Sequence, residues 1–155
     1  MGSEMCIRDS LGFISANAGV DESNSEPGTV ITLPNDPDAS ARKIGRKLED
    51  RFGVQLGIVI TDTFGRPWRL GQVNVAIGLY RVPSIISDIG KKDAWGRDLS
   101  VTEPAFCDEL AAASGLIVKK AAKTPIVLFR GLKWITEDKT SARNILRSNS
   151  EDMFK

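Results

Sequence analysis

The stretch VQLGIVITDTFGRPWR, residues 54–69, decides how the rest of the chain is arranged. It opens with an apolar run rich in β-branched residues, which predicts a buried strand over residues 56–60. The residues that follow carry oxygen atoms or positive charge: Asp62, Thr63, Arg66 and Arg69. Because α/β proteins usually place ligands where a buried strand ends, we expect these side chains in a crevice at the strand's exit. A strand followed by a capped turn and surface arginines explains the same spacing equally well.

The composition predicts one soluble globular domain without a nucleic-acid or membrane partner. With 155 residues the chain is long enough for one hydrophobic core and too short for two. The 21 basic and 20 acidic residues leave a net charge of +1, which gives no support for a nucleic-acid partner. No apolar run is long enough to cross a bilayer. We therefore expect a cytoplasmic protein.

Histidine is absent from the sequence, and only two cysteines, Cys6 and Cys107, are present. The lack of histidine excludes imidazole acid–base chemistry, a Ser-His-Asp triad and a His-ligated zinc ion within this chain. Two distant cysteines do not form the ligand cluster that zinc or an iron–sulfur centre requires. Any metal that this chain binds is therefore a hard cation, Mg²⁺, Mn²⁺ or Ca²⁺, held by oxygen atoms.

Helical and strand patterns are interleaved along the chain and predict an α+β, or mixed α/β, domain. Besides the central strand, strands are predicted over residues 11–18, 28–34, 72–80 and 125–129. Helices are predicted from Asp38 or Ser40 to Phe52, from Thr102 to Ser114 and from Ser141 to Leu146. In the first helix Ile44, Leu48 and Phe52 recur at helical spacing, so we expect them to be buried. Cys107 is predicted to be a small core residue.

The first ten residues, MGSEMCIRDS, match neither a signal peptide nor a structural element. They lack the apolar segment of a signal peptide, and the apolar pattern starts only at Leu11. We therefore treat residues 1–10 as a non-native leader outside the fold and residues 11–155 as a single domain.

Oxygen-bearing and cationic side chains recur beyond the predicted strands. Asp21 and Asn24 follow the first strand just as Asp62 and Thr63 follow the central one. Positive charge comes from two arginines and three lysines: Arg66, Arg69, Lys119, Lys120 and Lys123. Phosphoryl transfer requires such a set, because it depends on positioning and charge neutralisation and needs no histidine. An Asx-turn at Asp21 and solvated lysines remain the alternative explanations.

Several of these segments together resemble the coenzyme F420 γ-glutamyl ligase family. The matching segments occur in the family's order: ANAGVDESN at 16–24, LPNDPDASARKI at 33–44, ITDTFGRPWRLGQVNVAIG at 60–78, KKDAWGRDLSVTEPAFCDELAAA at 91–113 and FRGL at 129–132. Several long motifs in one order match by chance far less often than one short motif. The resemblance spans most of residues 11–155 and implies a γ-glutamyl ligase-like domain.

The resemblance also implies roles for individual residues. Asp21 and Asp62 are implied to share one divalent cation, and Thr63 to bind a second. Asn24 is implied to contact the guanine nucleotide. The family's phosphate-contacting segment corresponds to a loop that includes Val118, Lys119, Lys120 and Lys123.

The activity that the resemblance implies is a GTP-dependent amide ligation. GTP activates the carboxylate of a coenzyme F420 precursor as an acyl phosphate, and the amine of L-glutamate then displaces phosphate. Implied cofactors are GTP, Mg²⁺ or Mn²⁺, and K⁺; implied partners are these small molecules and a second copy of the chain in a homodimer. We add Arg66 and Arg69 as catalytic residues that orient phosphate or carboxylate. The alternatives are another metal-dependent phosphoryl-transfer enzyme on a related scaffold and a non-catalytic nucleotide-binding or assembly module.

Family members begin well before the GVD motif, with a portion that carries another nucleotide-contacting segment. Here only residues 1–10 precede Leu11. We therefore expect a copy truncated at its N-terminal side, with apolar surface exposed and with weak or absent activity on its own.

Overall fold

The computed structural model describes the chain except for residues 1–5, 17–18, 24, 67, 120, 137 and 152–155, and the side chains of residues 6, 7 and 16. Its elements are the strands β1 (Cys6–Arg8), β2 (Ile14–Ala16), β3 (Ile58–Arg66) and β4 (Arg69–Tyr80), the helices α1 (Pro37–Phe52) and α2 (Phe106–Gly115), and a 3₁₀ helix at Ala142–Ile145. The mixed α/β fold expected from the sequence is confirmed. Among the described residues, no helix is both long and apolar enough to span a membrane.

The centre of the molecule is the antiparallel hairpin formed by β3 and β4. β3 continues through Arg66, so Asp62 and Thr63 lie within the strand. The prediction that they lie at the exit of the strand is wrong. The register shifts after Ile60: Ile60 pairs with Gly78, whereas Thr61 pairs with Ala76. Such a β-bulge bends the strand that carries the extra residue and leaves part of its backbone unpaired with the partner strand. The site residues therefore sit beside an irregularity in the central hairpin.

Acidic side chains on both helices accept hydrogen bonds from backbone N–H groups of β4. Asp108 of α2 accepts from the Ala76 N–H through Oδ1 at 2.8 Å, and Asp38 of α1 accepts from the Leu79 N–H at 2.7 Å. Asp38 also receives the Ser141 hydroxyl at 2.6 Å, which ties the C-terminal 3₁₀ helix to the same point. Burial raises the pKa of the Asp108 carboxyl, the hydrogen bond from Ala76 opposing that shift. Both helices are thus fixed to the hairpin by acidic side chains.

Helix α1 forms where the sequence predicts it, but it docks through a different face. Its N-cap is Asp36, whose carboxylate accepts from the Ala39 N–H at 2.8 Å, and not Asp38 or Ser40. The predicted burial of Ile44 and Phe52 is wrong, since these side chains are 46% and 63% exposed. The buried residues of the helix are Pro37, Ala41 and Gly45. Small side chains let the helix backbone approach the hairpin closely, and this approach determines which face is covered.

Helix α2 is shorter than predicted and begins at Phe106 rather than after Thr102. Cys107 and Ala111 face the core, so the prediction that Cys107 is a small core residue is confirmed. Burial, followed by the nearby Asp108 carboxylate, raises the pKa of the Cys107 thiol to about 12. This cysteine is therefore a buried thiol at physiological pH.

Two of the predicted strands do not form. Residues 28–34 contribute one isolated bridge, between Asp21 and Ile31, and residues 125–129 have no regular secondary structure and pair with no strand in the described part of the chain. Ile126 and Leu128 are 79% and 64% exposed. An apolar, β-branched run becomes a strand only when a neighbouring strand accepts its backbone hydrogen bonds.

The segment treated as a leader contributes to the described fold. Cys6–Arg8 pairs antiparallel with Ile14–Ala16, and the Asp9 carboxylate accepts from the N–H groups of Leu11 and Phe13 in the turn between them. The expectation that residues 1–10 lie outside the fold therefore fails for Cys6–Arg8. The non-native origin of these ten residues remains a prediction.

Glu49, on α1, is the centre of a charged cluster that should make stability depend on pH. Its carboxylate accepts from the Leu56 N–H, the Tyr80 hydroxyl and Arg81 Nη1, each at 3.0 Å. The Leu56 hydrogen bond, with help from Tyr80 and Arg81 and against the opposing effect of burial, lowers the pKa of Glu49. A lowered carboxyl pKa adds stability above the unfolded-state pKa, and this contribution is lost as the pH falls through the folded-state value.

We expect Glu49→Gln to lower the free energy of unfolding at pH 7 by about 2 kcal/mol, because charged hydrogen bonds are each worth more than neutral ones. The deficit should shrink as the pH falls through the lowered pKa of Glu49, because the wild-type carboxylate then takes up a proton. Urea unfolding at pH 7 and pH 3 measures both quantities. The exposed Glu109 of α2 supplies the control, Glu109→Gln. A deficit in the free energy of unfolding that is the same at both pH values would show that the charge of Glu49 does not stabilise the fold.

Candidate functional site

Asp62 and Thr63 are neighbours in β3, so their side chains lie on opposite faces of the hairpin. Asp62 shares its face with Phe64, which is buried in the core, and is itself half-buried. Thr63 is exposed on the other face. The two side chains therefore cannot hold the same ion, which agrees with the implied division of Asp62 and Thr63 between two cations.

Thr63 takes part in a hydrogen-bond chain that reaches α2. It pairs with Asn74 in the hairpin register, and its hydroxyl donates to Asn74 Oδ1 at 2.9 Å. Asn74 Nδ2 lies 3.5 Å from Ser114 Oγ, and the Ser114 hydroxyl donates to the Ala111 carbonyl at 2.7 Å. Asn74 is not among the site residues predicted from the sequence. A correct register for residues 60–78 would have placed it opposite Thr63.

Asp21 lies in a loop that the Ile31 backbone holds in place. Its N–H and carbonyl exchange hydrogen bonds with Ile31 at 2.9 and 2.8 Å. Asp21 Oδ1 accepts from the N–H of Ser23 at 2.8 Å and also from the Ser23 hydroxyl, so the Asx-turn is present. A shallow cavity of about 290 Å³ opens beside this loop, with Glu22 and Glu26 in its lining. Its carboxylates disfavour phosphate there and favour a cation. Asn24 lies outside the described residues.

The donor set suits hard cations but does not form a complete carboxylate cage. In the described part of the chain, no group of three or more His, Cys, Asp or Glu side chains is placed to hold a metal ion. Mg²⁺ typically uses one or two carboxylates and takes its other ligands from water and phosphate oxygens. One carboxylate from each of Asp21 and Asp62, and one hydroxyl from Thr63, fit that pattern.

The two candidate catalytic arginines, Arg66 and Arg69, lie at the turn of the hairpin and differ in solvent exposure. Arg66 pairs with Arg69 in the register, and Arg66 Nη2 donates to the Leu70 carbonyl at 2.7 Å. Arg66 Nε is buried without a hydrogen-bond partner among the described atoms. Arg69 is exposed. Arg66 thus stabilises the turn through Nη2 and has its Nε enclosed, while Arg69 is accessible to a ligand.

The loop that contains Val118, Lys119, Lys120 and Lys123, here called the lysine loop, follows directly after α2. The Ser114 carbonyl accepts from the Val118 N–H at 2.9 Å, and the Lys119 carbonyl accepts from the Ala122 N–H at 2.9 Å. Lys123 has a φ of 52°, in the left-handed region. Lys119 and Lys123 are both exposed, whereas Lys120 is not among the described residues. The loop is a compact turn whose accessible ammonium groups can neutralise phosphate oxygens.

Comparison with known proteins identifies a family for this arrangement. Residues 2–131 match the F420-0:Gamma-glutamyl ligase family. A coenzyme F420:L-glutamate ligase of Methanopyrus kandleri is 49% identical over 148 residues, which cover 93% of this chain and 59% of that protein. A protein of the same name from Methanosarcina mazei is 43% identical over 152 residues, covering 97% of this chain and 60% of that protein. The chain thus spans about three fifths of the length of the curated relatives that it matches.

Proposed function

Because the chain belongs to the F420-0:gamma-glutamyl ligase family, we propose that it catalyses the GTP-dependent attachment of L-glutamate to a coenzyme F420 precursor. The observation that carries the proposal is the 49% identity to a coenzyme F420:L-glutamate ligase over 93% of this chain. The oxygen ligands on β3 and the cationic groups at its turn and after α2 support it, since phosphoryl transfer requires both.

The proposed reaction has two steps. A carboxylate oxygen of the precursor attacks the γ-phosphorus of GTP, and the bond from that phosphorus to the β-phosphate oxygen breaks to release GDP. The glutamate amine then attacks the acyl carbon of the acyl phosphate, the amine loses its proton, and inorganic phosphate leaves. Charge neutralisation and alignment dominate the first step, so fixed cationic groups matter more than an acid–base side chain.

Asp21, Asp62 and Thr63 would hold Mg²⁺ or Mn²⁺ in this proposal. Bound there, the cations supply charge neutralisation on the phosphate oxygens. Thr63 offers a hydroxyl oxygen whose proton is already donated to Asn74. The carboxylates of Asp21 and Asp62 need a shared positive charge to lie near each other, because two carboxylates about 4 Å apart repel by roughly 4 kcal/mol at an effective dielectric constant near 20. K⁺ is a further proposed cofactor.

The cationic side chains are assigned by their accessibility. Arg69 is exposed and its planar guanidinium suits a bidentate contact with phosphate or with the glutamate carboxylate. Arg66, half-buried at the turn of the hairpin, contributes positive charge. The loop of Val118, Lys119, Lys120 and Lys123 contacts the nucleotide phosphates, with Asn24 on the guanine. These residue roles form part of the proposal.

The proposal includes a cytoplasmic homodimer. Its support is apolar surface on the segment that follows the lysine loop: Ile126, Leu128 and Ile135 are 79%, 64% and 85% exposed. Apolar area of this kind is usually covered in a working protein. The chain on its own should therefore turn over slowly, because the segment next to its phosphate-contacting loop lacks packing.

The test is an assay of the purified chain at high concentration with GTP, coenzyme F420 precursor, L-glutamate and Mn²⁺. We expect glutamylated product, GDP and phosphate in equal amounts, with no GDP when the precursor is omitted. GTP hydrolysis that is independent of precursor and glutamate would indicate a different phosphoryl-transfer enzyme. GTP binding without any turnover would favour the non-catalytic module.

A further inference from the structure

We propose that Asn74 is a positioning residue for the Thr63 hydroxyl, holding it as a cation ligand and linking it to the end of α2. The inference rests on the proposed function, because it takes Thr63 as a ligand of a divalent cation. It goes further in assigning a role to an amide that lies outside the predicted site. Its basis is the hydrogen-bond chain Thr63–Asn74–Ser114, which runs from the exposed Thr63 to the half-buried Ser114 of α2.

The direction of each hydrogen bond follows from the far end of this chain. A backbone carbonyl can only accept, so Ser114 must donate its single hydroxyl proton to the Ala111 carbonyl, 2.7 Å away. Ser114 Oγ is then left as an acceptor toward Asn74, which must present its NH₂ group to it at 3.5 Å. The amide oxygen of Asn74 consequently faces Thr63. The helix carbonyl thus determines the orientation of the Asn74 amide.

The orientation of the Asn74 amide in turn determines the direction of the Thr63 hydroxyl proton. Asn74 Oδ1 can only accept, so the Thr63 proton must point at it across 2.9 Å. Both lone pairs of Thr63 Oγ1 then point away from the proton and can be directed toward a cation. Without Asn74 the hydroxyl would rotate and would pay an ordering cost on binding. Partners of this kind, which orient a ligand without touching the metal, typically change metal affinity 10- to 100-fold.

The position of Asn74 also connects the cation ligand to the lysine loop. The Ser114 carbonyl accepts from the N–H of Val118, where that loop begins. Gly115 permits the approach, because a Cβ atom there would lie 3.3 Å from Asn74 Nδ2. Asn74, the partner of Thr63, and Val118 of the lysine loop are therefore both hydrogen-bonded to Ser114. Their separation is set by β4 and α2, two regular elements, and not by the loop itself.

The test is a Mn²⁺ titration of the full chain without nucleotide, followed by the electron paramagnetic resonance signal of free Mn²⁺. We expect Asn74→Ala to weaken Mn²⁺ binding about 10-fold, toward the lower end of the range for orienting partners. Asn74→Asp should bind Mn²⁺ at least as tightly as the wild type, because its carboxylate oxygen accepts the same Thr63 proton and adds a negative charge near the cation. Gln72→Ala, also on β4 and exposed, is the matched control and should leave the affinity unchanged. Thermal unfolding checks that every variant is folded.

A double-mutant cycle separates positioning from a general structural effect. If Asn74 acts through Thr63, then Thr63→Ala and the Thr63→Ala/Asn74→Ala double variant should bind Mn²⁺ equally weakly. Independent losses that multiply, an Asn74→Ala affinity equal to that of Gln72→Ala, or a wild-type chain that binds no Mn²⁺ would each overturn the proposal. Loss of ligase turnover with Thr63- and Asn74-dependent Mn²⁺ binding intact would instead reject the ligase proposal and leave this one standing.

Discussion

Replacing Gly78 with alanine should lower the free energy of unfolding by about 3 kcal/mol, the upper part of the range for overpacking a core. Gly78 lies in β4 where the first turn of α1 crosses it. A Cβ atom at this position would lie 2.5 Å from both the carbonyl carbon and the carbonyl oxygen of Pro37. These are backbone atoms, so no side-chain rotation relieves the clash and the helix itself must move.

Movement of α1 would have a second cost. Asp38, the next residue of the helix, accepts from the Leu79 N–H at 2.7 Å and from the Ser141 hydroxyl at 2.6 Å. Displacing Asp38 would leave a partly buried carboxylate and a strand N–H without partners, and each unsatisfied group costs about 1–3 kcal/mol. The overpacking and the lost hydrogen bonds therefore act in the same direction.

Gly65→Ala is the matched control for Gly78→Ala. Gly65 lies in the partner strand β3, is exposed, and has no atom within 4 Å of an added Cβ. Alanine there should be neutral or stabilise by about 0.5–1 kcal/mol, because it restricts the unfolded chain. Urea unfolding of both variants measures the difference. Equal stability of the two variants would show that the α1–β4 approach is looser than the structure indicates.

The same close approach explains which parts of the fold the sequence could predict. The helical period placed α1 to within a few residues, because this signal is local to the helix. The buried face was wrong because the spacing of Ile44 and Phe52 says nothing about what the helix meets. Gly45 meets the Tyr80 ring, where an added Cβ would lie 2.3 Å from Cδ1. The contact depends on two positions 35 residues apart in sequence, and only the fold brings them together.

The prediction of a strand over residues 125–129 is wrong for a related reason. Its composition suits a strand, yet the described sheet around the site has two strands and offers this segment no hydrogen-bond partner. Strand formation is a property of a pair, whereas helix formation is a property of one segment. For the candidate site, the roles of Asp62 and Thr63 stay predictions from the motif, whereas the position of Asn74 opposite Thr63 follows only from the register.

Replacing Asp62 with asparagine should weaken Mn²⁺ binding at the proposed Asp21–Asp62 site at least about 100-fold, since even residues that merely orient a metal ligand are worth 10- to 100-fold. The amide has nearly the shape of the carboxylate, so the half-buried position in β3 should be preserved. What changes is the negative charge that the proposed cation neutralises. GTP-dependent glutamylation should fall with the affinity, because the γ-phosphate would lose the same neutralising charge.

Asp50→Asn, on the exposed side of α1, removes the same charge from the chain and should change neither quantity. Asp21→Asn extends the argument to the other implied ligand. If both carboxylates hold one ion, then Asp21→Asn, Asp62→Asn and the double variant should have similar Mn²⁺ affinities at that site, because removing either ligand already destroys it. Thr63→Ala, on the opposite face of the hairpin, should leave this first class of sites intact and remove a second. If substitutions of Asp21, Asp62 and Thr63 all weaken Mn²⁺ binding equally at a single class of sites, the division of these residues between two cations is contradicted. Unchanged Mn²⁺ binding in Asp62→Asn would remove the metal site from β3 altogether.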